Sequence, residues 1–233
     1  METKYHKIDC QHCRLSGACF PHGLDCEEIN QLDTIVSHKR PLKPDEFLYR
    51  QEDRSDSIFV VKSGSFRSMV LDPDGTEQTV NFYLPGEVMG LDALQKGRFR
   101  CSVKALETAT VCELSLSRLN ALCTKIPSLQ AQFLRIIGTQ IAAHQDRVTL
   151  MGNNSAGFKL AAFLLMLSSR YRQLGYSSTE FNLPMDRHDI ASFLSLTVET
   201  VSRQLTNLKN SGIISVQRRG IQINSLDSLK SVV

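Results

Sequence analysis

Three cysteines, Cys10, Cys13 and Cys19, fall within ten residues near the amino end of this 233-residue chain, in the spacing C-x2-C-x5-C. Thiolates this close can bend around one centre without long-range folding, and Gly17 permits the tight return. Three ligands leave one coordination position open, so a fourth has to come from elsewhere. Cys26, Cys101, Cys112 and Cys123 are the candidates. Four thiolates suit a zinc ion and an iron–sulfur cluster equally well, and spacing does not choose between them. Seven cysteines, an odd number, argue against a disulfide framework and toward metal or redox chemistry. Clustered, exposed thiols without such a role would be an oxidation liability with no packing benefit.

A second set of residues, in 186–205, has the types needed to read base edges. Two short helices joined at Ser195-Leu196, the second capped by Thr197, predict a helix-turn-helix. In the second helix Val198, Val201, Leu205 and Leu208 share an inward face. Glu199, Ser202, Arg203 and Thr206 lie opposite, near its amino end. Arginine can donate a bidentate pair to guanine, a carboxylate can accept from cytosine N4, and a hydroxyl serves either way. The alternative is a solvated face with an i,i+4 Glu199–Arg203 pair. The next residues weigh against it. Two apolar strands, 213–216 and 221–223, flank Gln217-Arg218-Arg219-Gly220, a hairpin whose two tip arginines are placed to meet phosphates.

Both sets need elements to position them. From Pro127 to about Met151 the chain reads as one long helix. Leu134, Ile137, Ile141, His144, Val148 and Met151 recur at intervals of 3, 4, 3, 4 and 3, a heptad seam with one polar member. A narrow seam on a long helix usually pairs with its own copy across a two-fold axis; the alternative is an amphipathic helix lying on its own domain. Pro127 suits the first turn, and Gly152-Asn153-Asn154 closes the far end. Before this helix, short strand-like runs (47–49, 58–61, 66–70, 79–82, 103 onward and 109–114) alternate with turn formers, including Asp72-Pro73-Asp74-Gly75. They predict a barrel, sandwich or roll, with Cys112 of the last strand near the sheet's end and Ser117 capping a short helix. After it, Ser155 caps a helix stopped by Gly175, with Leu160, Phe163, Leu164 and Leu167 as its buried stripe, and residues 181–183 form a short strand.

Composition narrows the function classes. Residues 1–154 carry a net charge of −1 and residues 155–233 one of +4, a modest hint of nucleic acid after the long helix. The longest apolar run, 160–167, is eight residues, far short of the roughly 20 a membrane span requires. The first twenty residues lack the apolar segment of a signal peptide. A cytoplasmic protein with no membrane partner is expected. No nucleophile–base constellation or phosphate-cradling loop is visible, so an enzyme is not.

The order of parts resembles the Crp/Fnr family of transcription regulators over nearly the whole chain, and within it the oxygen-responsive FNR branch. Three matches carry this: the C-x2-C-x5-C stretch, the single cysteine in Val111-Cys112-Glu113, and Thr197-Val198-Glu199-Thr200-Val201-Ser202-Arg203. The resemblance implies an α+β fold with an N-terminal β-roll of the cyclic-nucleotide-binding type, a long coiled-coil dimerisation helix and a C-terminal winged helix-turn-helix. The corresponding division is a cysteine-rich segment (1–28), a β-roll (29–116), a short helix with the dimerisation helix (117–154) and a DNA-binding domain (155–233). It implies that Cys10, Cys13, Cys19 and Cys112 hold a 4Fe-4S cluster, which names the fourth ligand that spacing leaves open. Cys26, Cys101 and Cys123 then read as packed small hydrophobes.

Further implications concern partners. Thr197, Val198, Glu199, Ser202 and Arg203, with Arg218 and Arg219, would bind double-stranded DNA at a two-fold site of TTGAT-like half-sites. A homodimer would form on the 134–151 seam and contact RNA polymerase, and oxygen would dismantle the cluster and lower DNA affinity. A zinc-stabilised or cluster-free constitutive regulator is the alternative. Cyclic nucleotide is not expected: Leu91 stands where the family's nucleotide binders place a ribose-binding glutamate, and Arg100-Cys101 stands near their arginine–serine pair. Two departures stand out. His144 replaces an acidic seam residue, and two protonated imidazoles would repel across the seam, so a cluster-free dimer should be less disfavoured at pH 8 than at pH 6. Ser195 occupies a turn position that often carries glycine, at a cost of about 1 kcal/mol if it needs a positive φ.

Overall fold

The computed structural model describes residues 9–72, 74–152 and 155–233. Pro73 of the expected turn, and Asn153 and Asn154 of the expected helix stop, lie outside them. The chain forms two compact units, one from residues 1–68 and 82–140, the other from 69–81 and 141–233.

Alternating apolar runs build the first unit as strands with helices at either end of the sequence. Its elements are α1 (Cys26–Asp33), β1 (Val36–His38), β2 (Phe47–Tyr49), β3 (Ser57–Ser63), the start of β4 (Phe66–Leu71), the end of β5 (Glu77–Tyr83), β6 (Val88–Met89), β7 (Ser102–Ala105), β8 (Thr110–Ser115), α2 (Leu116–Cys123) and the start of α3 (Pro127–Gly152). Two four-stranded sheets form the roll, in the orders β1-β8-β3-β6 and β2-β7-β4-β5. Each sheet thus mixes distant strands, which fixes the fold only once the whole roll closes. Gly64 takes φ +73°, and a Cβ there would sit 2.7 Å from the Ala109 side chain and the Thr108 carbonyl, so this turn admits glycine alone. Phe20, Leu32, Ile58, Val60, Val88, Leu114, Leu119 and Leu129 make one buried cluster. It joins the amino-terminal segment, the β1-β8-β3-β6 sheet, α2 and α3 in a single core.

The strand runs read from the sequence all form, while α1, β1 and β6 add to them. The signal for α1 is Asp25-x-x-Glu28, a capping box in which the Glu28 N–H donates to the Asp25 carboxylate (2.9 Å) and the Asp25 N–H to that of Glu28 (3.0 Å). Two details are corrected. The N-cap of α2 is Ser115 rather than Ser117, because β8 runs to Ser115 and turns directly into the helix. Cys112 lies on an inner strand rather than near the sheet's end, paired with His38 of β1 on one side and Val60 of β3 on the other.

The second unit holds α4 (Ala156–Gln173), β9 (Glu180–Asn182), α5 (Arg187–Leu194), α6 (Val198–Asn210), β10 (Ile214–Gln217), β11 (Gly220–Ile223) and α7 (Leu226–Lys230). The strand expected at 181–183 lies one residue earlier, because Asn182, Phe181 and Glu180 pair with Gly220, Ile221 and Gln222 of β11. Ser155 caps α4 as expected, and Leu160, Phe163, Leu164 and Leu167 are fully buried. The β4–β5 hairpin residues 69–81 belong to this unit: the Thr79 N–H donates to Ser192 Oγ of α5 at 2.8 Å, and that hydroxyl donates to the Glu77 carbonyl at 3.2 Å. Among the described residues, no helix is long and apolar enough to cross a membrane.

Candidate metal centre and nucleic-acid interface

The amino-terminal cysteines sit on a loop made of tight turns. The Ser16 N–H donates to the Cys13 carbonyl (3.0 Å), the Ala18 N–H to that of Leu15 (2.9 Å) and the His22 N–H to that of Cys19 (3.1 Å). Gln11 pins the loop to α1 by donating to the Cys26 carbonyl (3.1 Å) and Asn30 Oδ1 (3.0 Å). Gly86 of the β5–β6 turn, at φ +88°, lies under Ala18; a Cβ there would come within 3.3 Å of the Ala18 side chain. The result is a cleft of about 430 Å³ whose lining includes Cys10, Cys13, Cys19 and Cys112, with Phe20, Val60, Leu114 and Lys62 around them.

Among the four fourth-ligand candidates, Cys112 alone lines this cleft. Cys112 faces the three loop cysteines, whereas Cys26 does not line the cleft and Cys101 and Cys123 are buried elsewhere. The expectation that Cys26 is packed is corrected: it is exposed at the start of α1.

The Cys10, Cys19 and Cys112 thiols are held in their neutral form. Burial, then the hydrogen bond and charge of Asp33, push the Cys10 thiol well above the usual range. Burial pushes Cys19 up to about 12 and Cys112 up to about 11, the latter against the pull of the Lys62 ammonium. The cysteines also raise one another, so four thiolates here would require a cationic centre among them. His38 adds a nitrogen beside this set, its Nδ1 lying 3.7 Å from Cys112 Sγ. Sequence reasoning missed Asp33, His38 and Lys62, since only strand pairing and the fold of α1 bring them to the cysteines.

In the second unit the helix-turn-helix forms as read. Asp186 caps α5 with a capping box, Ser195 ends it in the left-handed region at φ +52°, and Thr197 Oγ1 accepts from the Thr200 N–H (3.1 Å) to start α6. Val201, Leu205 and Leu208 are buried and Val198 half-buried, while Glu199, Arg203 and Thr206 are exposed and Ser202 half-buried. The backbone N–H of Glu199 itself, then the Thr197 side chain, hold the Glu199 carboxyl below its usual range, favouring its charged, acceptor-only form. Arg187 of α5 donates to Ser202 Oγ at 3.0 Å, a contact between the two helices that residue spacing alone does not reveal. At the hairpin tip Arg218 is exposed, with φ +54°. Arg219, also exposed, turns its guanidinium to the Pro184 carbonyl at 3.4 Å.

The expected seam lies on α3. Leu134, Ile141 and Val148 are 61%, 54% and 72% exposed, His144 is exposed, and Ile137 and Met151 are half-buried. In the stretch that corresponds to the family's nucleotide site, Leu91 packs against the roll core, and the exposed Arg100 gives its N–H to the Asp92 carboxylate at 2.7 Å.

Comparison with known proteins accords with this geometry. Residues 39–125 match the family described as cyclic nucleotide-binding domain, and residues 159–232 the Crp-like helix-turn-helix domain. The chain is 40% identical over 222 residues to the anaerobic regulatory protein of Haemophilus influenzae, covering 95% of this chain and 86% of that one. It is 37% identical over 225 residues to the fumarate and nitrate reduction regulatory protein of Salmonella typhimurium, covering 97% and 90%. The solved structure of FixK2 from Bradyrhizobium japonicum superposes with a TM-score of 0.77 at 27% identity, over 85% of this chain and 97% of that one. These relatives are regulators rather than enzymes, and this chain is likewise a DNA-binding transcription regulator of the anaerobic-regulator type. A β-roll, a long helix and a winged helix-turn-helix, with this identity over nearly the full length, mean that the chain belongs to the Crp/Fnr family.

Proposed function

We propose that this chain is an oxygen-responsive regulator in which Cys10, Cys13, Cys19 and Cys112 hold a 4Fe-4S cluster, and in which dimerisation on the 134–151 seam permits DNA binding. The observation that carries this is the convergence of four cysteines, three from one loop and one from β8, on a single cleft against the roll core.

Bound by these thiolates, a 4Fe-4S cluster would supply an oxygen-labile cross-link between the amino-terminal segment and the roll. The chain supplies the rest. Lys62 favours the thiolate of Cys112, and loading displaces the protons that burial keeps on the thiols. Phe20, next to Cys19, packs on Phe133 of α3 at 5.9 Å between ring centroids, so the segment's position bears on the helix that carries the seam. Leu134, Ile137, Ile141, Val148 and Met151, with His144 among them, pair with a second copy. The two recognition helices then meet TTGAT-like half-sites one DNA turn apart through Glu199, Ser202 and Arg203, while Arg218 and Arg219 meet phosphates. The bound dimer acts by contact with RNA polymerase in the cytoplasm.

The test is the visible spectrum and iron content of anaerobically purified protein, before and after air. A brown protein with about four iron atoms per chain, losing its colour and its dimer in air, supports the reading. A colourless protein with about one zinc per chain, dimeric and indifferent to air, overturns the oxygen switch and leaves a constitutive DNA-binding regulator.

A further inference from the structure

The face of α3 opposite the seam is apolar, with Leu129 buried and Phe133 and Ile136 packed against the roll core. Gln132 interrupts it. This amide is only 6% exposed, where a leucine would fill the space without a desolvation cost, so its hydrogen bonds are informative. Its Nε2 donates to the carbonyl of Cys19 at 3.0 Å, and its Oε1 accepts from Arg135 Nη1 at 3.0 Å. Arg135 is the neighbour of Leu134, the first residue of the seam. Three residues therefore connect the backbone of a candidate cluster ligand to the edge of the dimer surface.

We infer that Gln132 is a positioning residue that reports the state of the cysteine loop to α3, an assignment that rests on the oxygen-switch reading above. Other ties between this region and the helix run through side chains of residues that are not ligands. Ser128 Oγ donates to Glu28 Oε1 of α1 at 2.6 Å, and the Phe20 ring packs on Phe133. Gln132 alone among these contacts holds a ligand's own peptide group. While Cys19 is fixed, the buried amide is satisfied and the first turns of α3 keep their orientation. When the loop lets go, Nε2 loses its acceptor in an apolar surround. An unsatisfied buried amide is strongly disfavoured, so the side chain and the turn carrying it must move to find another. That movement reaches Arg135 and Leu134. The device is a local hydrogen bond biasing a two-state helix surface.

The experiment compares dimer dissociation constants by sedimentation, under anaerobic conditions, for cluster-loaded and cluster-free full-length protein. Wild type gives the factor by which cluster loss weakens the dimer. Gln132→Met keeps the shape without the amide. Gln132→Glu keeps the partner for Arg135 but cannot donate to the Cys19 carbonyl, and it decides the matter if the first variant does not fold. In both, the factor should fall by about tenfold, the scale of one buried hydrogen bond, with iron still at about four atoms per chain. An unchanged factor with iron intact overturns the assignment alone. Loss of iron in both variants also overturns it, by making Gln132 a support of the site rather than a reporter. Equal dimer constants for loaded and cluster-free wild type would take down the oxygen switch itself.

Discussion

The guanidinium of Arg147 lies over the ring of Phe193, 4.6 Å from its centroid, and ties the second half of α3 to α5. The same group donates to the carbonyls of Val80 and of Thr79, the latter at 2.8 Å, so one side chain joins α3, the β4–β5 hairpin and the helix-turn-helix within the second unit. Burial pulls its pKa down, and its Nε is buried without a partner among the described residues. Two effects compete in an Arg147→Met variant: lost charge-assisted hydrogen bonds and relief of desolvation. The group is only partly buried, so relief is partial and the bonds decide the sign. The variant should lose about 1–2 kcal/mol, read as a lower melting temperature for the second unit. An equal or higher temperature would mean that desolvation wins.

The cysteines outside the cleft should separate by reactivity. Cys26 is exposed, whereas burial and then the adjacent Asp92 carboxylate raise the Cys101 thiol. Alkylation proceeds through the thiolate, so iodoacetamide at pH 8 should label Cys26 first and Cys101 last in cluster-free protein, as peptide mass spectrometry will show. The sign of the linkage follows. Cys101 is an acid whose folded pKa is raised, so folding favours its neutral form. The stability this gives is complete below the ordinary thiol value of 9.0 and is lost as pH rises above it. Cys101 labelling should therefore begin only with alkaline unfolding. Early labelling of Cys101 at pH 8 would refute its protected state.

What could be read from the sequence is what local periodicity encodes. The α3 seam, the α4 stripe and the inward face of α6 follow helical spacing and lie where that spacing puts them. The loop cysteines are near neighbours in sequence, so their convergence needs no long-range fold. Cys112 is different. Its place opposite them depends on β8 pairing with both β1 and β3, and residue spacing carries no trace of that; only family resemblance singled it out. Gln132 escaped for a related reason, since an isolated glutamine on a helix reads as surface until the opposite wall is known. The exposure of Cys26 was not legible because residue type predicts burial only on average.

Ser195 pays for the helix-turn-helix with its backbone. It holds φ +52° and ψ +51° as the C-cap of α5, a region where a Cβ costs about 1 kcal/mol. Its hydroxyl recovers little, reaching Met151 Sδ at 3.8 Å. Ser195→Gly should therefore stabilise the fold by about 0.5–1 kcal/mol, less whatever is lost to greater freedom in the unfolded chain. DNA affinity should not change, because the turn does not contribute to the outward face of α6. A melting temperature at or below that of the parent would show that unfolded-state entropy cancels the strain.

The two arginine sites should fail in different ways on DNA. Arg203 lies exposed on α6 near Glu199 and Ser202, and in the proposed function it donates a bidentate pair to guanine. Arg218 is at the exposed hairpin tip, and in the same proposal it meets phosphate without reading bases. Arg203→Ala should thus cost about 1–3 kcal/mol on a TTGAT-type site and relax discrimination at the guanine position. Arg218→Ala should weaken binding to specific and random DNA alike, and lower the slope of log K against log salt by about one. Titrations of cluster-loaded protein on matched and single-mismatch duplexes, at several salt concentrations, measure both quantities together. Arg187, which donates to Ser202 Oγ in this conformation, refines the contrast. If Ser202 must turn to a base, that bond is surrendered on binding, and Arg187→Ala should change affinity for the matched duplex more than for random DNA. A uniform loss would instead make Arg187 a phosphate contact like Arg218, leaving Glu199 and Arg203 to carry the sequence preference.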